Sequence, residues 1–206
     1  MQPLFIDLAG KKVVIIGGGK IAARKGSTLA TEKPDLTFIA PEFHETVLQL
    51  SEEKGYQLIR RKAHYSDLSD AFLVILATND RTFNKTWARQ LSAHHLVCVV
   101  DEAEEGNVIF PATLRRGHLQ IAVTTNGASP KLARKIKQEL ESQFDSTWEN
   151  YLSFLAQSRR KLKKLPISLE LRNSLLEELL EERYQLNEKL REELLARIDT
   201  LEKQNN

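Results

Sequence analysis

Three glycines directly follow an apolar run in Val13-Val14-Ile15-Ile16-Gly17-Gly18-Gly19-Lys20-Ile21-Ala22, and they are the strongest chemical signal in the chain. Gly17, Gly19 and Ala22 match the GxGxxG/A spacing between a strand and a helix. In that arrangement Gly17 allows the tight turn, Gly19 lets backbone approach a pyrophosphate, and Ala22 lets helix and strand pack closely. Free N–H groups and the positive end of the helix dipole then attract phosphates. The expected chemistry is binding of a nicotinamide dinucleotide and oxidation of a small substrate.

Other residues sort around this turn. The fingerprint calls for an acidic residue about twenty positions on to hold the ribose hydroxyls. Here the second strand ends Phe38-Ile39-Ala40-Pro41-Glu42, so Glu42 stands slightly late. NAD is the expected cofactor, while Lys20, Arg24 and Lys25 supply positive charge that would suit NADP. Thr78-Asn79-Asp80 follows another strand at its carboxyl end, where ligands of such sheets lie, and reads either as cofactor contact or as an ordinary turn. Asp101 ends a further strand at the same edge. If partly buried it would serve as general base or acid; otherwise it is a turn or capping aspartate. Thr124-Thr125-Asn126-Gly127-Ala128-Ser129-Pro130 leads into a second helix N-terminus that could hold an anion. Arg115, Arg116, His118, Lys131, Arg134 and Lys135 surround it in sequence, which suits a substrate with several carboxylates or a plain basic face.

The elements that must position these residues alternate. Strands are expected at Lys12 to Ile16, Leu36 to Ala40, Leu73 to Ala77 and Val97 to Val100, with a weaker one at Gln57 to Arg60. Helices are expected at Ile21 to Glu32, Pro41 to Lys54 and Thr82 to His94. This is the rhythm of an α/β fold with a Rossmann-type parallel sheet. Val108 to Leu114 and Leu119 to Thr125 then read as a hairpin or a pair of exchanged strands. Ser129-Pro130 opens a helix from Lys131 to Glu141. From Thr147 the pattern is wholly helical, packing on a neighbour, on a second subunit, or as a coiled-coil tail from Leu175 to Leu201. The expected division is 1–112, 113–145 and 146–206.

Composition narrows the class. With 41% hydrophobic and 28% charged residues the chain should fold as a globular protein. A net charge of +2 gives no case for nucleic acid or a membrane surface as partner. Apolar runs such as Phe72 to Ala77 are too short to cross a bilayer, and no signal-peptide layout opens the chain, so a cytoplasmic location is expected. Cys98 reads as a buried small hydrophobe. Adjacent His94-His95 lack metal-ligand spacing, and no metal is expected. Arg159, Arg160, Lys161, Lys163 and Lys164, with the Glu-rich segment after Pro166, read as solvated helix surface.

As an ordered set, these residues resemble the precorrin-2 dehydrogenase family of siroheme biosynthesis, including the N-terminal part of siroheme synthases. The resemblance runs through Leu4-Phe5-Ile6-Asp7-Leu8-Ala9-Gly10-Lys11, Gly17 to Lys25, Ala77-Thr78-Asn79-Asp80, Val99-Val100-Asp101, Phe110-Pro111-Ala112 and Ala122 to Arg134. It spans about residues 3 to 141. It implies that NAD takes a hydride from precorrin-2, a tetrapyrrole with eight carboxylates, and that sirohydrochlorin is released. It further implies that Lys20-Ile21 and Pro41-Glu42 contact the cofactor, that Asp101 is catalytic, and that the central segment forms an intertwined homodimer. Thr125 stands where some relatives have a serine near the tetrapyrrole pocket. Two alternatives remain beside this reading. One adds insertion of Fe2+ into sirohydrochlorin, with His118 receiving the metal. The other is a non-catalytic NAD-sensing module that signals through its helical tail.

Overall fold

The structure, a computed structural model, describes residues 1–204, with side chains through Thr200. Of the expected helical tail, residues 205–206 and the Leu201 side chain lie outside the described residues. The chain forms two compact units that divide between Phe110 and Pro111.

In the first unit, short β-branched and aliphatic runs make a parallel sheet: β1 (Lys12–Ile16), β2 (Asp35–Ile39), β3 (Gln57–Ile59), β4 (Leu73–Leu76) and β5 (Leu96–Val99). Their order is β3-β2-β1-β4-β5. Side chains alternate across a strand, so each strand feeds two cores. Val13, Ile15, Leu36, Phe38, Leu73, Ile75 and Cys98 pack with α1 (Lys20–Leu29) and α2 (Glu45–Lys54). Val14, Ile16, Ile39, Val74, Leu76, Val97 and Val99 pack on the other face with α3 (Arg81–Leu91). Burial on both faces is why these strands read as continuous apolar runs. The chain order reverses at β1 and β4, which places the switch point of the sheet between Ile16 and Leu76.

Three helices are shorter than expected: α1 stops at Leu29, where residues Ala30–Glu32 tighten into a 3-10 turn, and α2 and α3 are cut back as well. The residues Pro41 to His44 are a loop, and α2 starts only at Glu45. The reason is local: the His44 N–H donates to the Gly18 carbonyl at 2.7 Å, and the His44 ring accepts from the Thr46 N–H as the helix cap. Similarly, Asp80 caps α3 by accepting from the Phe83 N–H, and the helix ends at Leu91 before His94.

In the second unit β6 (Ala112–Arg116) and β7 (Leu119–Val123) pair antiparallel around Gly117-His118, with Gly117 at φ +54°. Of the two readings left open, the hairpin within one chain is the one adopted. Ser129 caps α4 (Pro130–Gln143), with Pro130 in its first turn. The helices α5 (Thr147–Lys164), α6 (Leu169–Glu178), α7 (Glu182–Leu186) and α8 (Glu188–Gln204) follow. They share a core that includes Tyr151, Phe154, Leu162, Leu179, Tyr184 and Ile198, and the Tyr151 hydroxyl donates to the Leu179 carbonyl. A coiled-coil tail is therefore corrected to a packed helical cluster. Of the leucines that suggested a seam, Leu175, Leu179 and Leu194 turn into this core, while Leu186 stays exposed.

Candidate cofactor cavity and catalytic edge

The carboxyl ends of β1, β2, β3 and β4 enclose a cavity of about 690 Å³, within the ordinary range for a ligand site. It is lined by Gly17, Gly18, Gly19, Lys20, Ile21, Pro41, Glu42, Thr78 and Asn79, so all eight expected cofactor residues meet there with Gly18 added. A groove of about 780 Å³ lies at the opposite edge, beside Lys12, Asp70 and His95. Its one glycine, Gly10, sits in a turn before β1 rather than between a strand and a helix, no helix N-terminus opens into it, and the Lys12–Asp70 ion pair already neutralises part of its charge.

The three glycines do different work. Gly17 has φ +137°, and a Cβ on it would meet the Ala77 carbonyl oxygen at 2.3 Å. A Cβ on Gly18 would meet the Glu42 carbonyl oxygen at 2.0 Å, so the loop after β2 lies directly on the turn. A Cβ on Gly19 would meet nothing within 4 Å. The first two are thus fixed by the protein's own backbone, while Gly19 faces open space. Gly19 is also the N-cap of α1, with no side-chain cap and no acidic residue in the first turn. By contrast, His44, Asp80, Ser129 and Ser168 cap their helices through side chains. An open backbone cradle at an uncapped helix N-terminus fits a pyrophosphate.

The rest of the wall was only partly legible. Thr78 uses its hydroxyl within the protein, donating to Asn84 Oδ1 at 2.7 Å, while Asn84 Nδ2 donates to the Thr78 carbonyl. Buried Asn84 therefore holds the end of β4 in shape, and exposed Asn79 is the freer group. His44, Lys62, Ala63 and Phe83 also line the cavity and were missed. Lys62 and Ala63 follow β3, whose carboxyl end joins the same edge, so the weak strand was the available signal.

The loop carrying Lys62 and Ala63 is pinned by Asp67. Its carboxylate accepts both Arg61 guanidinium N–H groups at 2.7 Å and the His64 N–H at 2.8 Å. The Arg61 hydrogen bonds hold the Asp67 pKa down at about 2, against the opposing effect of burial and with help from His64. Because the folded value lies below the ordinary 3.8, the stability from Asp67 is full above that pH and is lost as pH falls through about 2. Thermal unfolding from pH 5 to 2 should show Asp67→Asn with a flatter acid limb than the parent chain, and identical limbs would refute the assignment.

Asp101 follows Val100, whose N–H extends the ladder to the Leu76 carbonyl. The following turn is tied to α3 by Arg81–Glu102 at 2.6 Å and Lys85–Glu105 at 3.2 Å. The partial burial on which an acid or base role was conditional is not met within the chain: Asp101 is exposed and lies outside the cavity lining. It keeps its place at the carboxyl edge because it continues β5.

The expected substrate residues fall into two groups at opposite ends of the hairpin. Pairing of Arg116 with Leu119 and of Ala112 with Val123 puts Arg115, Arg116 and His118 at the turn end. Thr125, Asn126 and Lys131 follow β7 at the other end, about 14 Å away by strand rise. Sequence proximity across the turn had merged them. Arg116 donates from Nε to the Phe144 carbonyl at the end of α4, a position a cation favours. In the loop the Asn126, Ala128, Ser129 and Leu132 N–H groups already have acceptors in Thr124, Thr125 and Ser129. The free donors expected there are largely spent on local turns, with Asn126 at φ +48° shaping the bend.

Comparison with known proteins adds an independent line. An NAD(P)-binding family model matches residues 4–112, the sirohaem biosynthesis protein central model matches residues 116–143, and the SirC C-terminal domain model matches residues 148–194. The chain is 31% identical to a precorrin-2 dehydrogenase of Priestia megaterium, over 97% of this chain and 98% of that one. It is 37% identical to a precorrin-2 dehydrogenase of Bacillus subtilis (strain 168), over 78% and 99%. A siroheme synthase of Pseudomonas aeruginosa (strain LESB58) is 34% identical over 82% of this chain but only 37% of its own length. The solved structure of SirC, a precorrin-2 dehydrogenase, superposes with a TM-score of 0.85 at 30% identity, covering 97% of this chain and all of that one.

Proposed function

This chain belongs to the precorrin-2 dehydrogenase family, and from that premise we propose that it oxidises precorrin-2 to sirohydrochlorin with NAD as the acceptor. The reaction removes a hydride and a proton from the macrocycle and yields NADH. The observation that carries this reading is the open Gly19 cradle at the uncapped N-terminus of α1. When bound there, the dinucleotide supplies the hydride acceptor.

The chain's own residues do the remainder. The backbone at Gly19, Lys20 and Ile21 holds the pyrophosphate, and Lys20 adds positive charge beside it. Pro41 and Glu42, on the loop that rests on Gly18, hold the adenosine ribose, and the Glu42 carboxylate favours free ribose hydroxyls over a ribose phosphate. Asn79 and the backbone of Thr78 orient the nicotinamide end. Asp101 accepts the proton. Arg115, Arg116, His118, Thr125, Asn126 and Lys131 are assigned to the substrate's carboxylates. Among them Lys131 and Asn126 are the freest, since Arg116 also braces α4.

A homodimer and a cytoplasmic setting belong to the same proposal. Support for the dimer comes from the hairpin: among the described residues β6 and β7 each pair on one side only, leaving edges that a second copy can extend. Purified protein mixed with precorrin-2 and either NAD or NADP should form NADH much faster than NADPH, and light scattering should give twice the chain mass. Dinucleotide binding without turnover would favour the sensing alternative, and faster NADPH formation would overturn the role given to Glu42.

A further inference from the structure

Lys25 is a cation for which the described residues provide no carboxylate. It follows Ile21 by four positions on α1, so the two lie one turn apart on the same flank of the helix. Ile21 lines the cofactor cavity. Lys25 is half-buried, and its Nζ stands 4.1 Å from the centroid of the Phe110 ring. Burial lowers its pKa from the lysine range, Cys98 offsets part of this, and Arg24 adds to it. The ring attracts the ammonium but accepts none of its three N–H bonds in the way a carboxylate would.

Position decides what anion could complete it. Cys98 belongs to β5, at the far side of the sheet from β2 and β3, whose following loops form the adenosine wall. Lys25, over Phe110 and near Cys98, is therefore not the cation assigned here to a ribose phosphate. It stands instead beside the strand that leads through Val100 to Asp101. An ammonium kept half-buried with only a ring against it is a cost to the free protein, and a carboxylate arriving with a ligand reduces that cost.

We infer that Lys25 receives a carboxylate of the substrate on the β5 side of the cofactor cavity. The inference rests on the reading above, in which the substrate is a tetrapyrrole bearing several carboxylates.

The test is Lys25→Met beside Lys25→Arg, assayed with precorrin-2 and NAD. The methionine variant should raise KM for precorrin-2 about tenfold or more, the usual loss for a charge-assisted contact. Its kcat and NAD affinity should be unchanged, and its Tm equal or higher, because methionine fills similar space without a charge. Arginine, which keeps the charge, should restore most of the KM. Sirohydrochlorin binding followed by fluorescence reads the same contact without turnover. A parent chain that binds sirohydrochlorin but does not turn over precorrin-2 counts against the reaction, not against Lys25. Equal tetrapyrrole affinity in parent and Lys25→Met overturns the inference, as does a KM rise accompanied by matching losses of Tm and NAD affinity.

Discussion

Gly19→Asp should weaken NAD binding by about a hundredfold or more, roughly 2.7 kcal/mol, while the melting temperature stays level or rises slightly. The two effects have opposite signs because the site and the fold ask different things of this residue. An added carboxylate would occupy the space proposed for the pyrophosphate and repel it. For the fold, a Cβ at Gly19 meets nothing within 4 Å, and the residue sits at φ −88° as the N-cap of α1. Aspartate is at least as good an N-cap as glycine and favours the positive end of the helix dipole. Calorimetric titration with NAD and a thermal melt on the same sample check both halves. Unchanged NAD affinity would remove the cofactor from this corner. Gly17 cannot serve as the test, because its φ of +137° and the Ala77 carbonyl make any side chain there a folding defect first.

Asp101→Ala carries the second large effect: kcat should fall about a hundredfold or more, the usual share of a positioned proton acceptor. Affinity for NAD and thermal stability should not change. Asp101 is exposed, makes no hydrogen bond or ion pair among the described residues, and lies outside the cavity lining. Losing it therefore removes chemistry without removing packing. Rates measured in single turnover separate the proton step from product release, and a wild-type rate in this variant would take Asp101 out of the mechanism.

The candidate cofactor cavity was legible because its signals are local. A Gly-rich turn between a strand and a helix fixes backbone geometry within about ten residues, and the ends of neighbouring parallel strands follow from the alternating pattern. Gly18 was passed over because the fingerprint leaves that position open. Its constraint is the Glu42 carbonyl, more than twenty residues away in sequence. Lys62 and Ala63 escaped for a similar reason: their loop reaches the cavity only because β3 pairs with β2 and Asp67 clamps the turn that follows.

The expected substrate residues were less legible. Arg115, Arg116, His118, Thr125, Asn126 and Lys131 all fall within seventeen residues of sequence, yet the hairpin separates them by its own length. Sequence distance measures contour, and two antiparallel strands convert contour into separation of their ends. Lys25 shows the converse, since nothing near it in the chain distinguishes it from Arg24. Only the return of Phe110 and the placement of β5 make one of them half-buried and leave the other exposed.

The amino-acid sequence alone determined the parallel sheet, the glycine turn, the helix it opens and the edge at which Asp101 emerges, because each depends on local propensity or on the period of apolar residues. Tertiary structure alone decided which backbone carbonyls close on Gly17 and Gly18, which hydroxyls and N–H groups are already spent, and which lysine lies half-buried over the Phe110 ring. Those depend on pairings between distant segments, whose partners are set by the free energy of the whole fold and leave no periodic mark in the chain.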